Sequence, residues 1–274
     1  FVQREAFMLG TVFFERQSAR KTKMVFDFDD SIWLQNVSKA NQSLSFLKDA
    51  QKTAKLIEIA DLVLAGNSYL QQYALQYNQQ TKLIPTVVDT SHYQSVTDKS
   101  GTSICIGWSG SFSTVPYFET IVPVLLRLKK KYGNRIYFKL IGDSTYYNES
   151  LELRGTAWTA STELAELAEL DIGLMPLPDD EWTKGKCALK GLLYMSMEQV
   201  AVLSDVGVNA TVVENGIDGF LCRDLESWFD TLSSLIEDAS LRRKIARNGR
   251  KKVQESYSVA SQKSKLIQLL DDLI

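Results

Sequence analysis

The sequence predicts an α/β protein of two domains, each a parallel sheet with helices on both faces. Three observations carry this. Short apolar strands alternate with helices of ten or more residues, most cleanly after residue 102. The chain has 274 residues, enough for two modest cores. A polar stretch over 91–101 interrupts the pattern and is the natural linker.

In chain order, Phe1–Glu5 reads as the end of a strand and Thr11–Arg20 has helical character. Lys23–Asp30 is a strand ending in carboxylates, and 40–59 is helical around a polar middle. Asp61–Gly66 is a buried strand closed by glycine, with Asn67 and Ser68 capping a helix through Tyr77. Beyond the linker, strands are expected at Ile104–Gly107, Arg135–Ile141, Leu151–Arg154, Asp171–Met175, Val200–Ser204 and Gly219–Cys222. The helices expected among and after them are Val115–Tyr132, Ser161–Leu170, a lysine-rich helix after Pro178, Leu225–Glu237, Leu241–Ser256 and Val259–Ile274. In such sheets ligands bind beyond the carboxyl ends of the strands, which here are Asp27–Asp30, Gly107–Thr114, Gly142–Asp143, Gly155–Trp158 and Pro176–Lys190.

Composition removes several function classes. A net charge of −2 argues against binding nucleic acid through bulk electrostatics. Cys105, Cys187 and Cys222 lack any metal or disulfide spacing and read as reduced thiols of a cytosolic type. No apolar run approaches 18 residues. His92 is the only histidine, so a multi-histidine metal site is impossible, and its place in the linker suits a solvated side chain.

The most unusual stretch is Trp182-Thr-Lys-Gly-Lys-Cys-Ala-Leu-Lys-Gly-Leu-Leu-Tyr194. Lys184, Lys186 and Lys190 fall where a helix start would prefer carboxylates. Each misplaced cation costs roughly 0.3–1 kcal/mol unless an anion collects it with the free N–H groups. A diphosphate site and a solvated lysine face fit this segment equally well. Gly107-Trp-Ser-Gly-Ser-Phe-Ser-Thr114 is a second candidate anion loop, on the same sheet edge. An ordinary capped strand-to-helix turn explains it as well.

Asp27-Phe-Asp-Asp-Ser31 admits several readings. Asp27 and Asp29 look like the nucleophile and acid/base of haloacid dehalogenase-like phosphatases. Asp27-x-Asp29 also resembles the manganese motif of the other glycosyltransferase fold. One carboxylate lining a cleft and accepting sugar hydroxyls is a third reading, and plain capping of the next turn a fourth. Trp108, Trp158 and Trp182 fall near the same edge, where stacking on a ligand competes with core packing.

Taken together, these motifs resemble family-4-type bacterial glycosyltransferases of the GT-B fold. The matching stretches are Asp27–Trp33, Gly66–Leu70, Ile84–Asp89, Gly185-Lys186 with Lys190, Asp171–Pro176, Ser204–Asn209 and Glu214–Leu221, in the family's order. The resemblance implies two Rossmann-like domains, the N-terminal one incomplete by on the order of 80 residues at the usual repeat length. It places an acceptor-side domain at 1–90, a linker at 91–101, a nucleotide-sugar domain at 102–257, and a helix over 258–274 crossing back. It implies a retaining, metal-independent transfer from a UDP- or GDP-sugar to a glycan or lipid-linked acceptor. That role belongs to bacterial cell-surface polysaccharide synthesis, in a cytoplasmic protein; peripheral association with the inner membrane face stays open. The site residues carried over are Asp29 and Asp30 for catalysis, with Ser109, Gly110, Ser111, Thr114, Gly185, Lys186 and Lys190 for the donor diphosphate. No metal and no further cofactor is expected. Two departures stand out. Gly185 and Leu193 occupy the family's paired-glutamate positions, and Ser196–Val200 replaces Ala-x-Gly-x-Pro. The alternatives are the phosphatase built on Asp27 and Asp29, and a nucleotide-sugar-binding module without turnover.

Overall fold

The computed structural model describes residues 1–5, 11–34, 51–94 and 103–273. The first part of the helical stretch expected over 40–59, up to residue 50, and most of the proposed linker lie outside the described residues. The strands are β1 Val2–Gln3, β2 Val25–Phe28, β3 Leu62–Ala65, β4 Thr81–Leu83, β5 Ile104–Ser109, β6 Ile136–Ile141, β7 Tyr147–Asn148, β8 Leu153–Arg154, β9 Ile172–Met175, β10 Val200–Ser204 and β11 Phe220–Cys222. The helices are α1 Phe13–Ala19, α2 Lys52–Ile59, α3 Ser68–Leu75, α4 Val115–Glu119, α5 Val122–Tyr132, α6 Glu163–Ala168, α7 Glu181–Lys184, α8 Leu189–Ser196, α9 Asn209–Val212, α10 Leu225–Glu237, α11 Ala239–Lys252 and α12 Val259–Asp271.

The chain forms two compact units. The first comprises Phe1–Thr86, Asp179–Cys187 and Gln262–Ile274; the second comprises Val87–Pro178 and Ala188–Ser261. In the first unit the strands run β1-β2-β3-β4, every pair parallel. Alternation along β2 turns Phe26 and Phe28 to one face, where they pack with Leu56, Ile57, Leu70 and Ala74. Val25 takes the other face with Leu62 and Leu64, covered by Leu266, Leu269 and Leu270 of α12. Asn67 caps α3 as expected, its side-chain oxygen accepting from the Leu70 N–H at 2.9 Å.

The second unit holds a parallel sheet of order β11-β10-β9-β5-β6. Ile106, Trp108, Leu140, Leu174 and Val202 belong to one core with Leu125, Leu128, Trp228, Leu232 and Leu235. Cys105, Ala201 and Leu203 lie in a second core with Leu167, Leu192 and Met195. Trp108 is therefore core, its ring 5.8 Å from that of Phe118 and tilted to it by 43°.

Three elements differ from the sequence expectation. The single helix over 115–132 is two, α4 and α5, because Pro123 lacks the N–H that a continuous helix would use. Leu153–Arg154 pairs antiparallel with Tyr147–Asn148 in a hairpin of its own. The lysine segment contains no single helix: α7 is a four-residue turn capped by Asp180, and α8 begins only at Leu189. Lys184 thus ends α7, where a cation is favoured, and bonds Glu181 at 2.8 Å. Lys186 lies between the helices, and only Lys190 falls in the first turn of α8.

Candidate functional site

In the first unit, the carboxyl end of β2 carries Asp27, Asp29 and Asp30 against two cations. Arg4 leaves β1 beside them, its Nε donating to Asp29 Oδ1 at 2.8 Å and its Nη2 to Asp30 Oδ2 at 2.9 Å. Lys186 Nζ donates to Asp30 Oδ1 at 2.8 Å and sits 5.1 Å from the centre of the Trp182 ring. Asp27 is half-buried, and burial pushes its carboxyl up to about 6. The charge of Asp29 adds to that shift and Arg4 opposes it.

The lysine turn is clamped from below. Asn67 Nδ2 donates to the Lys184 carbonyl at 3.3 Å and the Lys186 carbonyl at 3.0 Å. Cys187 Sγ donates to the Asp29 carbonyl at 3.3 Å. Burial pushes that thiol up to about 12, so it acts as a neutral hydrogen-bond donor. Gly185 is where it is for lack of room: a Cβ there would stand 2.0 Å from Ser31 Oγ and 2.8 Å from the Ser31 nitrogen.

In the second unit, β5, β9 and β10 are neighbours and parallel, so their carboxyl ends share one edge. The connection β9-α8-β10 joins parallel strands, which requires α8 to run back along the sheet and start at that edge. Ala188 opens α8 in the left-handed region, at φ 57 and ψ 19, and no side chain caps the helix. Lys190 in its first turn is half-buried, and burial lowers its pKa. The charge of Glu163 opposes that shift, and Lys190 makes no side-chain hydrogen bond or ion pair among the described residues.

The β5 turn shares this edge. Tyr194, fully buried, accepts from the Ser109 N–H at 2.9 Å and donates to the Leu174 carbonyl at 3.3 Å. The Ser109 hydroxyl is buried and has no hydrogen-bond partner among the described residues. The Ser111 N–H donates to Thr114 Oγ1 at 3.2 Å, and the Thr114 hydroxyl donates to the Ser111 carbonyl at 2.9 Å. The Gly110 N–H donates to the Ile141 carbonyl at 3.0 Å. Gly142, at φ 126, fits under it because a Cβ would lie 1.6 Å from the Gly110 oxygen.

The sequence candidates therefore fall into two groups. Asp29, Asp30, Gly185 and Lys186 come together in the first unit. Ser109, Gly110, Ser111, Thr114 and Lys190 belong to the second. Trp158 is about half exposed and His92 is exposed, away from both groups' hydrogen bonds. Arg4 and Tyr194 were not legible as site residues, since a lone arginine after a strand and a tyrosine inside an apolar helix carry no pattern. The clamp made by Asn67 was hidden behind its capping role.

No family model matches the chain, and no curated relative matches it either. Solved structures do. Sucrose-phosphate synthase from Thermosynechococcus elongatus superposes with a TM-score of 0.70 at 15% identity, over 94% of this chain and 70% of that one. The Anabaena protein HepE, in complex with UDP-glucose, matches with a TM-score of 0.70 at 15% identity, over 94% and 75%. A glycosyltransferase from Rickettsia africae matches with a TM-score of 0.69 at 12% identity, over 94% and 73%. The chain has the GT-B fold. Each unit holds a parallel sheet, as the alternating strands and helices predicted.

Proposed function

We propose that the protein transfers a sugar from a nucleotide-diphosphate sugar to a glycan or lipid-linked acceptor. The observation that carries this is Lys190, a half-buried cation in the first turn of a helix, with no ion-pair partner among the described residues. Burying a charge without a partner costs several kcal/mol, on the order of the desolvation term alone. Such a residue persists where an anion completes it, and the free N–H groups of a helix start supply the matching dipole. The partnerless Ser109 hydroxyl on the same edge supports a ligand there. The fold shared with a protein solved with UDP-glucose supports the nucleotide-sugar class.

Transfer breaks the bond between sugar C1 and the phosphate oxygen, whose electron pair departs with the diphosphate. A new bond forms between C1 and the acceptor oxygen, and in the retaining scheme the leaving phosphate oxygen takes the acceptor proton. Lys190 and the Ser109–Thr114 turn would stabilise the departing charge more in the transition state than in the ground state. Asp29 or Asp30 would act on the sugar, holding hydroxyls or supporting an oxocarbenium-like centre.

Calorimetry with UDP and GDP tests the donor site. Binding of one of them, weakened at least tenfold in Lys190→Ala, is the expected result. Binding that is unaffected in both Lys190→Ala and Lys186→Ala overturns the diphosphate assignment. One observation favours a second reading, a binding module without turnover: Lys186 is neutralised by Asp30. UDP binding without donor hydrolysis or transfer would establish that reading.

A further inference from the structure

Arg4 is the cation at this edge that no motif absorbed. Val2 and Gln3 pair with Phe26 and Asp27 along the sheet, and the Arg4 N–H adds one more bond to the Asp27 carbonyl at 2.8 Å. There the chain turns sharply: Arg4 has φ 61, and the Glu5 N–H closes back on the Gln3 carbonyl at 2.8 Å. A left-handed conformation is unfavourable for an L-residue with a side chain and persists only where the surroundings hold it. At this turn the guanidinium fork spans two consecutive carboxylates at 2.8 and 2.9 Å, alongside the backbone bonds to Asp27 and Gln3. The neighbouring charge of Glu5 is turned to Lys52 at 3.0 Å and does not compete for Arg4.

The fork gives Asp29 and Asp30 unequal roles. Asp30 has both oxygens engaged, one by Arg4 and one by Lys186, and its side chain is 13% exposed. Asp29 has one oxygen engaged and is 38% exposed. Its second oxygen accepts no hydrogen bond among the described residues. Two adjacent carboxylates repel, and a bridging cation with fixed, planar donors holds both in one geometry. A lysine offers a point charge on a flexible stem and would not fix the pair.

We propose that Arg4 is a positioning residue: by bridging Asp29 to the saturated Asp30, it leaves Asp29 as the carboxylate presented to the transferred sugar. This rests on the glycosyl-transfer function proposed above. Asp29 is then the carboxylate in contact with substrate, and Asp30 anchors the two cations.

The test compares wild type, Arg4→Met, Arg4→Lys, Asp29→Asn and the double variant Arg4→Met with Asp29→Asn. UDP-glucose, UDP-N-acetylglucosamine and GDP-mannose serve as donors, and donor hydrolysis and UDP affinity are the readouts. Arg4→Met should lower kcat at least tenfold while KM for the donor and Kd for UDP change less than twofold. Arg4→Lys should recover only part of that loss. The double variant should be no slower than Asp29→Asn alone, because Arg4 acts through that carboxylate. Full activity in Arg4→Met, or an added loss in the double variant, overturns the positioning role and leaves glycosyl transfer standing. Absence of turnover by the wild type with every donor overturns glycosyl transfer itself and this role with it.

Discussion

Lys186 Nζ lies 2.8 Å from Asp30 Oδ1, joining residues 156 apart in sequence. Lys186 looks like a misplaced cation in its own segment. In the fold it is one arm of a network in which Arg4 and Lys186 face Asp29 and Asp30. Both partners are largely shielded, 24% and 13% exposed, so the pair is not a solvated surface contact. Lys186→Ala should destabilise the protein by about 1–3 kcal/mol, because Asp30 keeps its burial and loses a charged partner. Urea unfolding at pH 7 measures this, and a change below a few tenths of a kcal/mol would contradict the shielding.

Asp27 should make stability fall as pH rises. Its carboxyl is pushed up to about 6 by burial and by Asp29, against 3.8 for an ordinary aspartate. The fold favours the protonated form, so the contribution is whole below about pH 4 and is lost as pH rises through about 6. Asp27→Asn removes the titration. The variant should gain on wild type between pH 4 and pH 7 and level off above that, by about 1–2 kcal/mol after allowing for partial solvent contact. Urea unfolding midpoints at pH 4, 5, 6 and 7 give the curve. A constant offset would show that Asp27 does not titrate there.

Lys190 should behave in opposite ways toward stability and binding. With no anion bound, its half-buried charge opposes folding, so Lys190→Met should leave the melting temperature unchanged or raise it. The same variant should bind UDP at least tenfold more weakly. Thermal unfolding with and without UDP reads both effects. Loss of both together would mark Lys190 as merely structural.

Glu198 sits at φ 57, at the glycine position of the Ala-x-Gly-x-Pro pattern that Ser196–Val200 replaces. Its contact with Arg247, at 3.7 Å on the surface, is a weak one. Glu198→Gly should therefore stabilise the protein by about 0.5–1 kcal/mol through relief of backbone strain. Ala188→Gly, at φ 57 and fully buried, should gain nothing, because losing the packed methyl, about 0.8 kcal/mol, offsets the same relief. Denaturant midpoints check both.

Asn67→Ala should cost more than loss of a helix cap. Its side chain accepts from the Leu70 N–H and donates to the carbonyls of Lys184 and Lys186. A cap alone is worth about 1 kcal/mol, and each orphaned carbonyl adds about 1 kcal/mol more. Asn67→Asp keeps the cap and loses the donor, so equilibrium unfolding of both variants separates the two contributions.

The α/β class, the strands β2, β3, β5, β6, β9 and β10 within a residue or two, and the cap at Asn67 were legible in the sequence. These follow from local alternation, from runs of apolar residues and from capping side chains, which act over a few neighbours. It also marked Asp29, Asp30, Lys186 and Lys190 as chemically unusual, because charge out of place is visible without a fold. What each charge answers to is fixed by the fold. Pairing Lys186 with Asp30, seating Gly185 on Ser31, and leaving Lys190 without a carboxylate within bonding reach among the described residues all depend on contacts between distant segments. Arg4 shows the same limit from the other side. Nothing near it in sequence asks for an arginine, and its partners are 25 and 26 residues away, reached only because β1 pairs with β2.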